Sequence, residues 1–446
     1  MAAARGEFTS RFGFLMAASG SAVGLGNIWG FPTNAASNGG AAFLFTYLIL
    51  AFALAYPALM AELIIGRHAR ANAVIALRAI STSGKTRLAA LLVGFTGIVT
   101  VSFILSFYAI VSGWMIAFFF EPLSRLLGME GLSNWLTTDA VVRNSLFVVL
   151  FMMLTVYIIS AGVKEGIEKW ASRLMPSLIV ILILLIVYVL TLPGAMDGLR
   201  AYLIPDFSLI ADPSLLVDAM GQAFFSLSLG VGTMLIYGSY INKQENLPTI
   251  GSLVALLDVG IAVLAGLLII PAMYVALNNG VEIYDAAGGL IAGPGLIVSV
   301  LPALFDTMGA IGVFVAFAFF ALMTIASLTS SISMLEVPVA YGVEHHGLER
   351  RRAAAIIGSI ITVIALIIVF NFDPLFDLVV TVTTEISQPL LGLAFCIYVA
   401  WIWQRNEILE EIKSGCPDAE SGLFWKIWPF YVKFICPVAI LVVYFQ

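Results

Sequence analysis

Eleven long runs of apolar residues, parted by short polar breaks, constrain this chain more than any other feature. They fall at about 11–36, 41–66, 89–120, 144–161, 174–193, 214–241, 250–278, 307–340, 354–371, 375–404 and 424–445. A helix needs roughly 20 apolar residues to cross a bilayer, and most of these runs reach that length. Within lipid only helices and closed barrels satisfy their own backbone polar groups. Barrel strands would be short and alternating, whereas these runs are continuous. The expected fold class is therefore an all-α polytopic membrane protein. With 61% hydrophobic and 11% charged residues, a soluble fold would lack the polar surface to cover itself. The lipid bilayer is the expected surrounding, with no nucleic acid and no obligate protein partner.

Basic residues give the orientation. Arg67, Arg70, Arg78, Lys85 and Arg87 lie between runs two and three, and Lys164, Lys169 and Arg173 between four and five. Arg350, Arg351 and Arg352 precede run nine, and Arg405 and Lys413 follow run ten. The alternate loops hold Arg125, Arg143 and Arg200 among more numerous acids. The positive-inside rule puts the N-terminus in the cytoplasm and the C-terminus outside. The residues from Arg5 to Arg11 are too polar for a cleavable leader. Cys396, Cys416 and Cys436 have neither metal-ligand nor disulfide spacing. The apolar outer loop at 279–306, broken by Gly293-Pro294-Gly295, reads as two short helices folded over the mouth, or as an ordinary structured loop.

Two runs are poor helices at their centres. Run one contains Gly20, Gly24 and Gly26 around Asn27, and each glycine disfavours helix by about 1 kcal/mol relative to alanine. Run six contains Ser226-Leu227-Ser228-Leu229-Gly230-Val231-Gly232. Each begins a block of five, 11–193 and 214–404, with 424–445 left over as an extra helix. Paired interruptions of this kind point to inverted repeats around a midplane binding site. Unwinding frees carbonyls that suit a hard cation, and half-helix N-termini that suit a carboxylate. The alternative is that the glycines serve close helix packing.

The stretch Gly24-Leu25-Gly26-Asn27-Ile28-Trp29-Gly30-Phe31-Pro32 resembles the neurotransmitter:sodium symporter family, most closely its bacterial amino-acid members. The resemblance continues through Glu62, Gly66-Arg67, Tyr108, Trp114, Gly221 to Gly230 and Leu328 to Ser331, so it covers nearly the whole chain. It implies a sodium-coupled symporter of amino acids in a bacterial inner membrane, working by alternating access, and not an enzyme. It implies two sodium ions. The first would be held by the Ala22 carbonyl, Asn27, Ser226 and Asp258. The second would be held by the carbonyls of Gly20, Val23 and Ala326 with the hydroxyls of Thr329 and Ser330. Asp258 stands where an acid accompanies chloride independence. A protonated, hydrogen-bonded Asp258 is the alternative. Substrate would be met by Ala22, Gly24, Leu25, Gly26, Ile104, Tyr108, Phe225, Ser226, Ser228, Val231, Ser330 and Met334. Monoamine-type relatives carry Asp at the Gly24 position, so the negative charge here would come from the substrate's own carboxylate. The pocket positions are largely apolar, so a large aliphatic or aromatic amino acid is expected.

The chain also departs from the family. An Arg of span one that closes the outer gate is Gly30 here, and its span-ten partner aligns with Val380, with Asp377 one turn earlier, which leaves the outer salt bridge an open question and closure to Tyr108 and Phe225. Arg5, Tyr240 and Glu344 match an inner gate, with Phe8 in place of Trp. Gly166 and Pro176 match a spacing at which span five unwinds to let water reach the inner sodium site. The competing reading is a proton-coupled transporter on the same scaffold, against which Thr329 and Ser330 stand. A membrane enzyme would need clustered catalytic groups at depth, yet His68, His345 and His346 all lie in loops.

Overall fold

The structure is a computed structural model and describes residues 6–205, 210, 212–284, 291 and 295–445. The fold class expected from sequence is what it shows: a bundle of helices, with nine among the described residues long and apolar enough to cross a membrane. A tenth span is a bent pair, Arg11–Ala22 and Gly26–Ser37, that turns by 61° at the break. The nine are Ala41–Ala69, Gly84–Leu126, Val141–Ser160, Val163–Val189, Leu247–Asn278, Ala310–His346, Arg350–Phe370, Phe372–Ile402 and Leu423–Tyr444. The count of eleven expected from sequence is not reached on this measure. The run at 214–241 is split into Pro213–Ser226 and Thr233–Gly238, of 14 and 6 residues, and neither is long enough alone. Below, the eleven runs are called spans one to eleven in chain order.

Local chemistry sets the ends. Ser10 caps span one by accepting from Gly13 N at 2.9 Å. Ser83 and Thr86 form a reciprocal capping box at the start of span three, and Asn246 caps span seven. Spans three and eight pack along each other through the middle of the bundle, with span one between spans five, seven and eight. Their shared face is apolar and fully buried, as at Leu105, Ala109, Leu322 and Ala326. The outer faces remain greasy, as at Leu184, Val187, Ile360 and Val363, which suits a surrounding of acyl chains rather than water.

Two expectations change in detail. Span five starts at Val163, eleven residues before the apolar run suggested, and Gly166 and Pro176 both lie inside the helix. Its first turns are wide (π) turns, so the chain there is loosened but not unwound. Of the two short helices expected over the mouth, the second is Leu296–Thr307. The first was expected between 279 and the Gly293-Pro294-Gly295 break; there 279–284 are not helical, and 285–290 and 292–294 lie outside the described residues.

Candidate functional site

Both breaks form as the sequence suggests, and each is held open by specific partners. In span one the helix ends at Ala22, and Val23 turns to extended backbone. Gly24 N then donates to Asn27 Oδ1 at 3.2 Å instead of to the Gly20 carbonyl four residues back. In span six the helix ends at Ser226, and Ser228, Gly230 and Gly232 take positive φ of 52°, 84° and 79°. Gly230 fits for two reasons: its φ, and a span-ten backbone so close that a Cβ would meet the Gln388 carbonyl oxygen. Its N–H donates to Glu62 Oε1 of span two at 2.7 Å. Gln388 Nε2 donates to the Leu229 carbonyl at 2.9 Å. Sequence reading gave neither Glu62 nor Gln388 this role. An intramembrane carboxylate and amide with no assigned task were the available signal.

The two breaks meet in a buried polar cluster. Asn27 Nδ2 donates to Ser226 Oγ at 2.8 Å and to Asp258 Oδ1 at 2.7 Å. Ser226 Oγ donates to Asp258 Oδ2 at 2.6 Å, and the Tyr47 hydroxyl lies 3.3 Å from Ser226 Oγ. Asn27, Ser226 and Asp258 are each at most 1% exposed. Among the described residues no basic side chain pairs with Asp258. An uncompensated carboxylate at that depth is costly, so the cluster suits a cation.

A second cluster lies on the other side of the span-one break. Ser330 Oγ donates to the carbonyls of Gly20 and Val23 at 3.2 and 3.1 Å. Thr329 Oγ1 donates to Ala326 O at 3.0 Å within its own helix, and a Cβ on Gly20 would lie 3.0 Å from Thr329 Cβ. Gly20, Val23, Ala326, Thr329 and Ser330 are therefore brought together. Two carbonyls released by the break are held here by one hydroxyl proton.

Between the clusters is a cavity of about 120 Å³. Of the twelve substrate positions expected from sequence, eleven line it: Ala22, Gly24, Leu25, Gly26, Ile104, Tyr108, Phe225, Ser228, Val231, Ser330 and Met334. Ser226 does not, because its side chain is turned into the polar cluster. Asn27 lines it as well, so cluster and cavity are continuous. Val101, Phe107 and Val111 of span three, with Trp29 and Gln388, complete the wall. Val101 and Val111 could have been read from helical spacing, since 101, 104, 108 and 111 share one stripe. Tyr108 Oη accepts from Leu25 N at 3.1 Å and shares a hydrogen bond with the Ser330 hydroxyl. At Gly24 a Cβ would lie 2.8 Å from Tyr108 Oη and 2.9 Å from Ser330 Oγ. No side chain fits there without displacing them.

The cavity is sealed on the side of the chain's first residues. Phe8 packs edge-on against Phe14, Tyr237 and Tyr240, and its N–H donates to Tyr240 O at 3.1 Å. Glu168 of span five accepts from the amides and hydroxyls of both Thr9 and Ser10, at 2.8 to 3.1 Å. Of the residues expected to form an inner gate, Arg5 lies outside the described residues. Tyr240 donates to Glu336 Oε1 at 2.5 Å, and Arg350 binds that carboxylate through both Nη atoms. Glu344 accepts from Asn72 N and Nδ2 at 2.8 and 2.9 Å. Glu336 as the hub of this side was missed from sequence. On the opposite side Gly30 and Val380 carry no charge, and a Cβ on Gly30 would have only Gln222 Oε1 nearby, at 3.8 Å. Polar contacts there run instead from Asn34 to Gln222 and from Asn38 to Asp218, both 3.0 Å. Arg125 at the end of span three pairs with Asp306 of Leu296–Thr307.

The Sodium:neurotransmitter symporter family pattern matches residues 5–146 and 128–446. A crystal structure of MhsT in complex with L-phenylalanine superposes with a TM-score of 0.83 at 36% identity, covering 99% of both chains. The uncharacterized sodium-dependent transporter YhdH of Bacillus subtilis (strain 168) is 32% identical, over 98% of this chain and 96% of its own. The sodium- and chloride-dependent taurine transporter of Rattus norvegicus is 27% identical, over 92% of this chain and 73% of its own.

Proposed function

The chain belongs to the sodium:neurotransmitter symporter family, and on that premise we propose that it imports large aliphatic or aromatic L-amino acids with two sodium ions and without chloride. Sodium-coupled transport across a membrane follows from the family. The substrate, the ion count and the chloride independence are our reading.

The observation that carries it is the continuity of an uncharged, mostly apolar cavity with an anionic polar cluster at one end. A substrate carboxylate placed at Asn27 and Tyr108 would lie beside the first sodium ion, and the side chain would fill the space among Ile104, Val231 and Met334. The amine would face the unwound backbone near Phe225 and Ser228. The first ion takes the place of the hydrogen bonds that Asn27 makes with Ser226 and Asp258. Turning the amide gives up its bond from Gly24 N, frees that N–H for the substrate carboxylate, and presents Oδ1, a hard ligand, where a donor stood. The second ion takes the place of the Ser330 proton between the Gly20 and Val23 carbonyls, with Ala326 and Thr329 completing the shell. Asp258 supplies the negative charge that would otherwise come from chloride. That MhsT was crystallised with L-phenylalanine supports an aromatic substrate.

Spans 1–5 and 6–10 act as inverted repeats, and the split span six is the eleventh crossing. The distribution of basic residues supports a cytoplasmic N-terminus, and the Bacillus subtilis relative supports a bacterial inner membrane; in that orientation the seal around Phe8 and Glu168 is the inner one. Transport is alternating access, with spans one and six rocking against spans three and eight. Two ions moving down 100 mV contribute about 4.6 kcal/mol, enough for roughly a thousandfold substrate gradient. The test is uptake into proteoliposomes: sodium-driven, chloride-indifferent accumulation of leucine, phenylalanine or tryptophan is expected. Uptake of taurine or glycine alone would refute the substrate class.

A further inference from the structure

Away from the transport path, a cavity of about 320 Å³ opens where the end of span ten, the helix Arg405–Lys413 and the start of span eleven meet. Three cations line it: Arg405, Lys426 and Lys433. Among the described residues none of the three forms an ion pair with a carboxylate. Glu407, two residues from Arg405, is engaged by Trp403 Nε1 at 2.7 Å. Two of the cations are held over indole faces. The Arg405 guanidinium carbon lies 5.3 Å from the Trp425 ring, and Lys433 Nζ lies 4.4 Å from the Trp401 ring. Lys433 stands about 15 Å along span eleven from its first residue at 1.5 Å per residue. The Trp401 ring and the Phe434 ring, 5.6 Å away, stabilise the ammonium group at that depth without neutralising it, so it still favours the interface or an anion.

We propose that this cavity binds the phosphate headgroup of an anionic phospholipid, with the acyl chains lying along spans ten and eleven. The charge pattern asks for an anion. The indole rings and the apolar wall at Val399 and Phe430 place that anion at a bilayer interface, where a lipid phosphate sits and a free phosphate would forgo its hydration. The site also has a connection into the fold. Arg405 opens the helix whose Glu411 holds the buried Arg67 of span two, and Ser414 just beyond it donates to the Lys243 carbonyl after span six. An occupied headgroup site therefore braces the ends of spans two and six. That the leaflet is the cytoplasmic one rests on the orientation proposed above. The cavity and its ligand chemistry do not.

The full-length protein is reconstituted in nanodiscs of phosphatidylcholine, with and without phosphatidylglycerol. Retained lipid is read by native mass spectrometry, and the thermal unfolding midpoint is recorded. Phosphatidylglycerol is expected to be retained and to raise the midpoint. Neutralising one cation, as in Lys426→Gln, should weaken retention about fivefold, and Arg405→Gln/Lys426→Gln/Lys433→Gln about a hundredfold. Lys164→Gln/Arg351→Gln, which removes charge elsewhere on the same side, should change neither reading. Sodium-dependent amino-acid binding reports separately whether each variant is folded, and the single variants stand if the triple one is not. Equal retention by the cavity variants, equal loss in the Lys164/Arg351 control, or the same midpoint shift from inorganic phosphate would overturn the proposal.

Discussion

Asp258 is the residue on which the proposed ion chemistry turns, because it is the acid of the cluster that joins the two broken spans. Replacing it with Asn keeps the shape and removes the charge. Sodium dependence of substrate binding should then shift by at least tenfold in half-saturating sodium, equivalent to about 1.4 kcal/mol, as read by titration against potassium. An unchanged sodium curve would remove Asp258 from the ion site. Gly24 makes the companion case. A Cβ there meets both Tyr108 Oη and Ser330 Oγ, so Gly24→Ala should abolish substrate binding while lowering the unfolding midpoint only slightly. Binding is measured by scintillation proximity and unfolding by nanoDSF. At this scale the sequence was legible at Asn27, Ser226, Tyr108 and Ser330 through the family resemblance of the motifs that carry them. It was least legible where the role depends on which distant backbone is nearby. Glu62, Gln388 and Glu336 are ordinary polar residues until the fold brings a freed amide, carbonyl or guanidinium to each.

The breaks in spans one and six are the elements that make a site, and the neighbouring spans hold them. Gly230→Ala would need a positive φ that alanine disfavours and would press a methyl group onto the Gln388 carbonyl. The cost is about 2–5 kcal/mol, which should appear as a clear drop in unfolding midpoint together with loss of binding. Retention of both would mean that the unwound segment is not fixed by span ten. The helix Arg405–Lys413 gives a test by pH. Burial alone would raise the Glu411 carboxyl, but the His68 hydrogen bond and the Arg67 charge outweigh it and hold Glu411 below its ordinary range. A depressed folded-state value contributes stability that is present above the unfolded value of about 4.3 and is lost as pH falls through the folded one. The wild-type midpoint should therefore fall on acidification in that window. Glu411→Gln should start lower, since breaking a buried pair costs about 3–5 kcal/mol, and should lack that part of the acid slope. Helix positions were readable because apolar runs of that length have one use in a bilayer. The length of span five was not, because its opening π turns carry polar residues that leave no mark in hydropathy.

Across the whole molecule, transport requires that the cavity be reached from one side at a time, and the structure shows the side of the first residues closed by Phe8 and Glu168. Glu168→Gln weakens a carboxylate that takes four hydrogen bonds from Thr9 and Ser10. It should increase the labelling of a cysteine placed near Gly13 from that side in sodium. Labelling equal to the parent would show that the seal rests on the aromatic cluster alone. The bundle, its span order and its two discontinuities were legible from hydropathy and glycine placement, whereas the handedness of closure was not, since it depends on contacts between residues far apart in the chain.

The central claim, that substrate and sodium share one site built on the two breaks, is tested most directly by binding of radiolabelled amino acids to purified protein. Leucine, phenylalanine and tryptophan are compared in sodium and in potassium, with and without chloride, and at several pH values. The account predicts binding that requires sodium, ignores chloride and is lost in Asn27→Ala and Ser226→Ala. Binding that persists in potassium and follows pH instead would contradict it and favour proton coupling on the same scaffold.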